Sequence, residues 1–135
     1  MGGSKARNGN EVSRASVIEA LEKEPELKHL ALHAAICLAA KHGLEVGGNL
    51  WGESGEGMSQ GDPLAGAWFC VSWHQFVREL DATLSEVGGM ARFGNDDGYL
   101  VGPASVVFPA LDKFATQVWD QCLLCLQVIK TEVFT

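Results

Sequence analysis

The sequence predicts an α+β domain in which helices cover one face of a mostly antiparallel sheet built from hairpins. Two hairpin patterns carry that expectation: Gly47-Gly48 inside "GLEVGGNLWGES", and "NDDG" inside "RFGNDDGYLVGP". Both alternate along the chain with stretches of helical apolar spacing. The length of 135 residues fits one domain, and 47% apolar residues supply an ordinary core.

Ser16, with Glu19 three positions on, forms a capping-box pattern ahead of Val17, Ile18 and Leu21, and Pro25 interrupts that helix. A second helical stretch over about 26–41 carries Leu27, Leu30, Ala34, Ile36 and Leu38, and ends where Gly43 can supply a left-handed cap. The Gly47-Gly48 hairpin follows. From Pro63 to about Val87 the pattern is helical again, with a wide apolar face of Trp68, Phe69, Val71, Trp73, Phe76, Val77, Leu80 and Leu84. Gly88-Gly89 stops it. A strand, turn and strand run through "MARFGNDDGYLVG". A helix over about 104–122 carries Val106, Val107, Leu111, Phe114, Val118 and Trp119, and a final strand is expected through "LQVIKTEVF". No internal repeat or low-complexity linker divides the chain.

Composition narrows the function classes. Acidic residues outnumber basic ones 17 to 10, and the formal charge of −7 opposes nonspecific attraction to a phosphate backbone. The longest apolar stretch, "LALHAAICLAA", is too short to span a bilayer, and "MGGSKARNGNE" lacks a signal-peptide core. Ala6 stands where a myristoylation pattern wants Ser or Thr. The expectation is an intracellular protein, cytoplasmic or nuclear, without a membrane partner. Of Cys37, Cys70, Cys122 and Cys125, three sit in apolar segments, which suits reduced, buried thiols.

Three local patterns carry chemistry. Asp96 and Asp97 put two carboxylates at a hairpin tip, although Asn, Asp and Gly are also what a tight turn selects, and on local chemistry the turn explanation prevails. "SQGDPLAG" opens a helix at Asp62-Pro63 behind Gln60 and Gly61, leaving free amides toward anything that approaches the helix N-terminus. Taken alone, Asp62 is as well explained as a helix cap and Pro63 as a first helical residue. Lys130, in the expected last strand, is available to a phosphate or simply solvated. Zinc is disfavoured: His29 and His33 are spaced i, i+4, but Cys122 and Cys125 flank Leu123-Leu124 in an apolar run. No G-x-S-x-G elbow accompanies the Ser, His and Asp residues, which argues against a hydrolase.

Taken in order, "QGDPLAG", "FGNDDGYLVGP" and "KTEVF" resemble the palm of reverse transcriptases, in particular those of retroelements without long terminal repeats and their group II intron relatives. The resemblance covers the chain from about residue 8 onward. It implies a polymerase palm-like fold and two-metal, template-directed nucleotidyl transfer using magnesium or manganese, RNA template, DNA primer and dNTP. It assigns metal binding to Asp96 and Asp97, places Gln60, Gly61, Asp62 and Pro63 at the nucleotide, and sets Lys130 beside the leaving phosphate.

The same resemblance marks departures. Lys5, in "SKARNGNEVSR", stands where the family has a metal-binding aspartate, so residues 1–11 read as a degenerate first motif before a palm-like domain over 12–135. A lysine there repels cations at close range. With fingers and thumb not in evidence, the chain alone is expected to be inactive or nearly so. The alternatives are a noncatalytic palm-derived scaffold for a protein partner, with Trp51, Trp68, Trp73 and Trp119 as aromatic contact area, or an unrelated α+β binding protein in which "NDDG" is only a turn.

Overall fold

The computed structural model describes residues 13–38, 42–54 and 63–135. Helix α1 (Arg14–Lys23) is capped by Ser13, whose side chain accepts from Ser16 N–H at 3.4 Å, while the Ser16 hydroxyl donates to the Ser13 carbonyl at 2.7 Å. The cap therefore lies three residues upstream of the expected Ser16-Glu19 box. Glu19 instead pairs with Lys23 at 2.9 Å along the exposed face. Glu24 turns extended, as the residue before a proline must, and the helix stops there. The turn after Pro25 delays the next helix: a 3-10 turn at Lys28–Leu30 leads into α2 (Ala31–Leu38). Gly43 is not a helix cap but part of strand β1.

Strands β1 (His42–Val46) and β2 (Asn49–Ser54) pair antiparallel around Gly47 and Gly48. Both glycines have positive φ, at 60° and 81°, which the I′ hairpin turn requires and other residues resist. The register shifts between Leu44 and Glu45, leaving Trp51 as the extra residue of a bulge.

Helix α3 (Ala65–Ser85) is the centre of the molecule. Its buried residues Trp68, Ser72, Phe76, Leu80 and Leu84 recur every four positions, with Trp73 beside them, and α1, α4 and β3 all pack on this helix. Ser72 interrupts the stripe without an orphaned hydroxyl, because it donates to the Phe69 carbonyl at 2.6 Å. Gly88, at φ 74°, closes the helix: its N–H bonds the Ser85 carbonyl at 3.1 Å and the Gly89 N–H bonds that of Leu84 at 2.8 Å. A β-carbon on Gly89 would collide with the Val101 carbonyl, so only glycine lets β4 return this close to the helix end.

Strands β3 (Met90–Gly94) and β4 (Asp97–Val101) form the second hairpin, and α4 (Ala104–Cys122) follows at its expected limits. Pro109 lies inside α4 and has no N–H for the preceding turn. Phe114, Val118 and Cys122 carry the buried face of α4 against α3. Leu123 then takes a left-handed conformation at φ 62°, and the Ser13 N–H reaches the Cys122 carbonyl at 2.8 Å, tying the start of α1 to the end of α4. Arg14 is buried beneath that junction and donates to the Leu38 carbonyl at 3.3 Å, one of the acceptors left open at the end of α2.

The α+β class is thus as expected, with three corrections. Among the described residues the hairpins are two separate two-stranded sheets, not one sheet with helices on a face. The core is mainly helical, and the second hairpin joins it through Ala91 and Phe93 of β3 with Leu100 of β4 packed against it. The final strand is not formed: Val128–Lys130 make a 3-10 turn in which the Lys130 and Thr131 N–H groups bond the Gln127 and Val128 carbonyls, so neither amide is free for a ladder. Ile36, expected in the core, is exposed, because α2 buries only the face of Ala31, Ala34 and Leu38. No helix among the described residues is long and apolar enough to cross a membrane.

Phe114 is 1% exposed and touches two other aromatic rings, so Phe114→Ala is expected to lower the unfolding free energy by about 3–5 kcal/mol in denaturant melts. Asp81 anchors the second hairpin by accepting from the Ala91 N–H at 2.8 Å and from Arg92 at 2.9 Å. The Ala91 amide, helped by Arg92, holds the Asp81 carboxyl below the usual aspartate value. Stability from this group is complete above the unfolded aspartate pKa of about 3.9 and is lost as pH falls through the lowered folded value. Asp81→Asn should reduce the urea midpoint at neutral pH, and the difference between the two proteins should shrink as pH falls below the unfolded aspartate pKa and through the lowered folded one.

Candidate functional site

The acidic hairpin is built from its root outward. Asp81 fixes Ala91 and Arg92 at the base. In the middle, Phe93 meets Trp73 edge-on at 5.2 Å and Phe114 at 5.5 Å, both centroid distances. At the tip Gly94 pairs with Asp97, leaving Asn95 and Asp96 as a two-residue loop with positive φ at Asn95 alone, 56°. Asn is among the few residues other than glycine that tolerate such a φ in a tight turn. Asp96 therefore sits in the loop and Asp97 opens β4.

Both carboxylates are exposed, and neither has an ion-pair partner among the described residues. The nearest recorded contact of the tip is with α3: the Cys70 thiol approaches the Asn95 side-chain oxygen at 3.9 Å, a long sulfur contact. The tip consequently lies beside the first turns of α3. Pro63 is an exposed turn residue two positions before that helix, so it is not the first helical residue, and the cap position falls to Leu64, which offers no side-chain bond. Gln60, Gly61 and Asp62 lie outside the described residues, as does Lys5.

Lys130 occupies the last position of the exposed 3-10 turn, and the last strand expected in or beside it is not formed. Its ammonium has no ion pair among the described residues. Chemically, the tip offers two hard oxygen donors in water, suited to a divalent cation that keeps most of its hydration shell. No cluster of three or more His, Cys, Asp or Glu side chains is arranged to hold a metal among the described residues. The two carboxylates fit one weakly held ion better than a preorganised pair.

The cysteines differ from expectation. Cys37, Cys70 and Cys125 are exposed and only Cys122 is buried, all four being free. The Cys122 thiol donates to the Ser72 carbonyl at 3.2 Å, and burial pushes its pKa up to about 11. A protonated, enclosed Cys122 and an exposed Cys125 do not present a joint pair of thiolates. His33 lies 3.6 Å from Cys37 on one exposed face of α2. Of the tryptophans, Trp68 and Trp73 are core and Trp119 is exposed, while the Trp51 side chain lies outside what is described.

One concavity had no expectation attached to it. A groove of about 360 Å³ runs between α3 and α4, with Glu79 and Thr83 on one side and Pro109, Lys113 and Gln117 on the other. Gln117 donates to Glu79 across it at 3.0 Å. The proline inside an otherwise helical pattern was the available clue to an irregular helix surface here. None of Pro63, Asp96, Asp97 or Lys130 lines this groove.

Comparison of the chain with protein-family models, with curated proteins and with solved structures gave no match.

With a maleimide or disulfide reagent under native conditions, Cys37, Cys70 and Cys125 are expected to react fast. Cys122 should be modified only at the rate of opening, and mass mapping of labelled peptides would separate the four.

Proposed function

We propose that this chain is a palm-type fragment related to reverse transcriptases, in which Asp96 and Asp97 are a vestigial or partial cation site. The observation that carries the reading is the placement of the acidic tip against the first turns of α3, marked by the Cys70–Asn95 contact, because the motif order requires tip and helix mouth to share one side. In this reading a bound magnesium or manganese ion supplies Lewis-acid stabilisation of phosphoryl charge. Asp96 and Asp97 hold the ion. The segment before α3, with Gln60, Gly61, Asp62 and Pro63, receives the nucleotide, and RNA template, DNA primer and dNTP are the corresponding partners. Lys130 stands near the leaving phosphate only if the C-terminal segment refolds into the strand that its composition favours.

The second reading is a noncatalytic scaffold. Its support is the exposed apolar surface of Leu32 and Ile36 on α2, together with the charge of −7 that opposes nucleic acid. The two readings differ at the tip.

Titration with Mn²⁺, followed by paramagnetic broadening of amide resonances, is expected to broaden residues 95–97 selectively in the wild type. The effect should vanish in Asp96→Ala and strengthen in Lys5→Asp. Uniform weak broadening over all acidic surfaces, unchanged in Asp96→Ala, would remove the palm reading and leave the scaffold. Primer extension by the chain alone is expected to be at background with either metal.

A further inference from the structure

The C-terminal segment holds the three most exposed large apolar side chains among the described residues, Ile129 at 101%, Phe134 at 85% and Val128 at 81%, with Val133 at 66% beside them. Contiguous apolar exposure of this kind marks a contact surface. The residues are β-branched or aromatic, and the backbone at Gln127 and Thr131, on either side of the 3-10 turn, is already extended. A single turn at Val128–Lys130, held by two backbone bonds from Lys130 and Thr131 and by the Thr131 hydroxyl donating to the Gln127 carbonyl at 3.1 Å, separates the segment from a strand.

We infer that residues 128–134 pair antiparallel with the same residues of a second copy of this chain, making a two-fold homodimer. The sequence of the segment carries the argument. In an antiparallel pair related by a two-fold axis, directly opposite residues share a face, so the axis must pass through one residue facing its own mate. With Thr131 on the axis, Lys130 faces Glu132, Ile129 faces Val133 and Val128 faces Phe134. Every charge meets its opposite and every apolar side chain meets another. Moving the axis to Lys130 sets lysine against lysine, and moving it to Glu132 sets glutamate against glutamate. The charge pattern thus selects one register, and the exposed apolar residues supply the buried area. A two-stranded ribbon is marginal by itself, so the association belongs to the weak, micromolar class. The occupant is a second copy rather than the chain's own β3–β4 hairpin, because the self-complementary pattern matches the segment to itself.

The experiment is a charge swap read by sedimentation equilibrium under reducing conditions, which keep the exposed cysteines from cross-linking. The wild type is expected to show a monomer–dimer equilibrium. Lys130→Glu and Glu132→Lys should each weaken it about tenfold, since each change sets two symmetry-related pairs against each other. An equimolar mixture of the two variants should restore wild-type affinity, because every opposed pair in the heterodimer is again attractive. Both positions are exposed and outside the core, and matching thermal melts would establish that the variants fold. A wild type that stays monomeric at roughly millimolar concentration, a dimer indifferent to both substitutions, or a weakening that mixing does not rescue would each overturn the inference.

Discussion

The aromatic junction at Trp73 is the contact on which the arrangement of this protein depends. Its ring meets Phe69 of the same helix at 5.4 Å, Phe93 of β3 at 5.2 Å and Phe114 of α4 at 6.0 Å. One side chain thus joins the central helix, the acidic hairpin and the last helix. The Trp73 indole N–H is buried with no hydrogen-bond partner among the described residues, at a cost of about 1–3 kcal/mol. Three ring contacts and the removal of a large apolar surface from water offset it. A two-stranded hairpin is not stable alone, so β3–β4 exists as ordered structure because Phe93 and Ala91 are held in this core.

That dependence shapes the candidate site. The hairpin is firmly placed at its root, where Asp81 receives the Ala91 amide, and through its middle, where Phe93 is packed. Its tip has only a long thiol contact to α3. Asp96 and Asp97 are consequently delivered to a defined place but stay in water, where their charge carries no desolvation penalty and their geometry is not fixed by neighbours. Such a pair attracts cations without preorganising them. Selective metal chemistry needs further oxygen ligands brought to the same place, and no cluster of three or more His, Cys, Asp or Glu side chains is arranged to hold a metal among the described residues.

The two ends of the described chain behave differently for a related reason. Ser13 is locked to the end of α4 through Cys122, and Arg14 beneath it closes an open carbonyl of α2. After the left-handed turn at Leu123 the chain leaves this junction, and its apolar residues beyond Leu126 are exposed. The same residue types are core where a helix face backs them and surface where none does.

The sequence by itself determined the elements whose causes are local. Gly47-Gly48 and "NDDG" demanded tight turns, Pro25 and Gly88 ended helices, and the wide apolar series from Trp68 to Leu84 contained every buried residue of α3 except Ser72, together with Phe69, Val71 and Val77, which are only partly buried. These effects act within a turn or two of the chain, so residue order is enough to read them. A cap is local too, but Ser13 and Ser16 both had the chemistry for it, and the actual start was fixed by the bond from Ser13 to Cys122, over a hundred residues away. Only the tertiary structure decided that the two hairpins stay apart, that the segment around Lys130 forms no strand, and that Cys37, Cys70 and Cys125 face water. Strand pairing and burial are properties of two surfaces that meet, and a sequence read one segment at a time specifies each surface without specifying its partner.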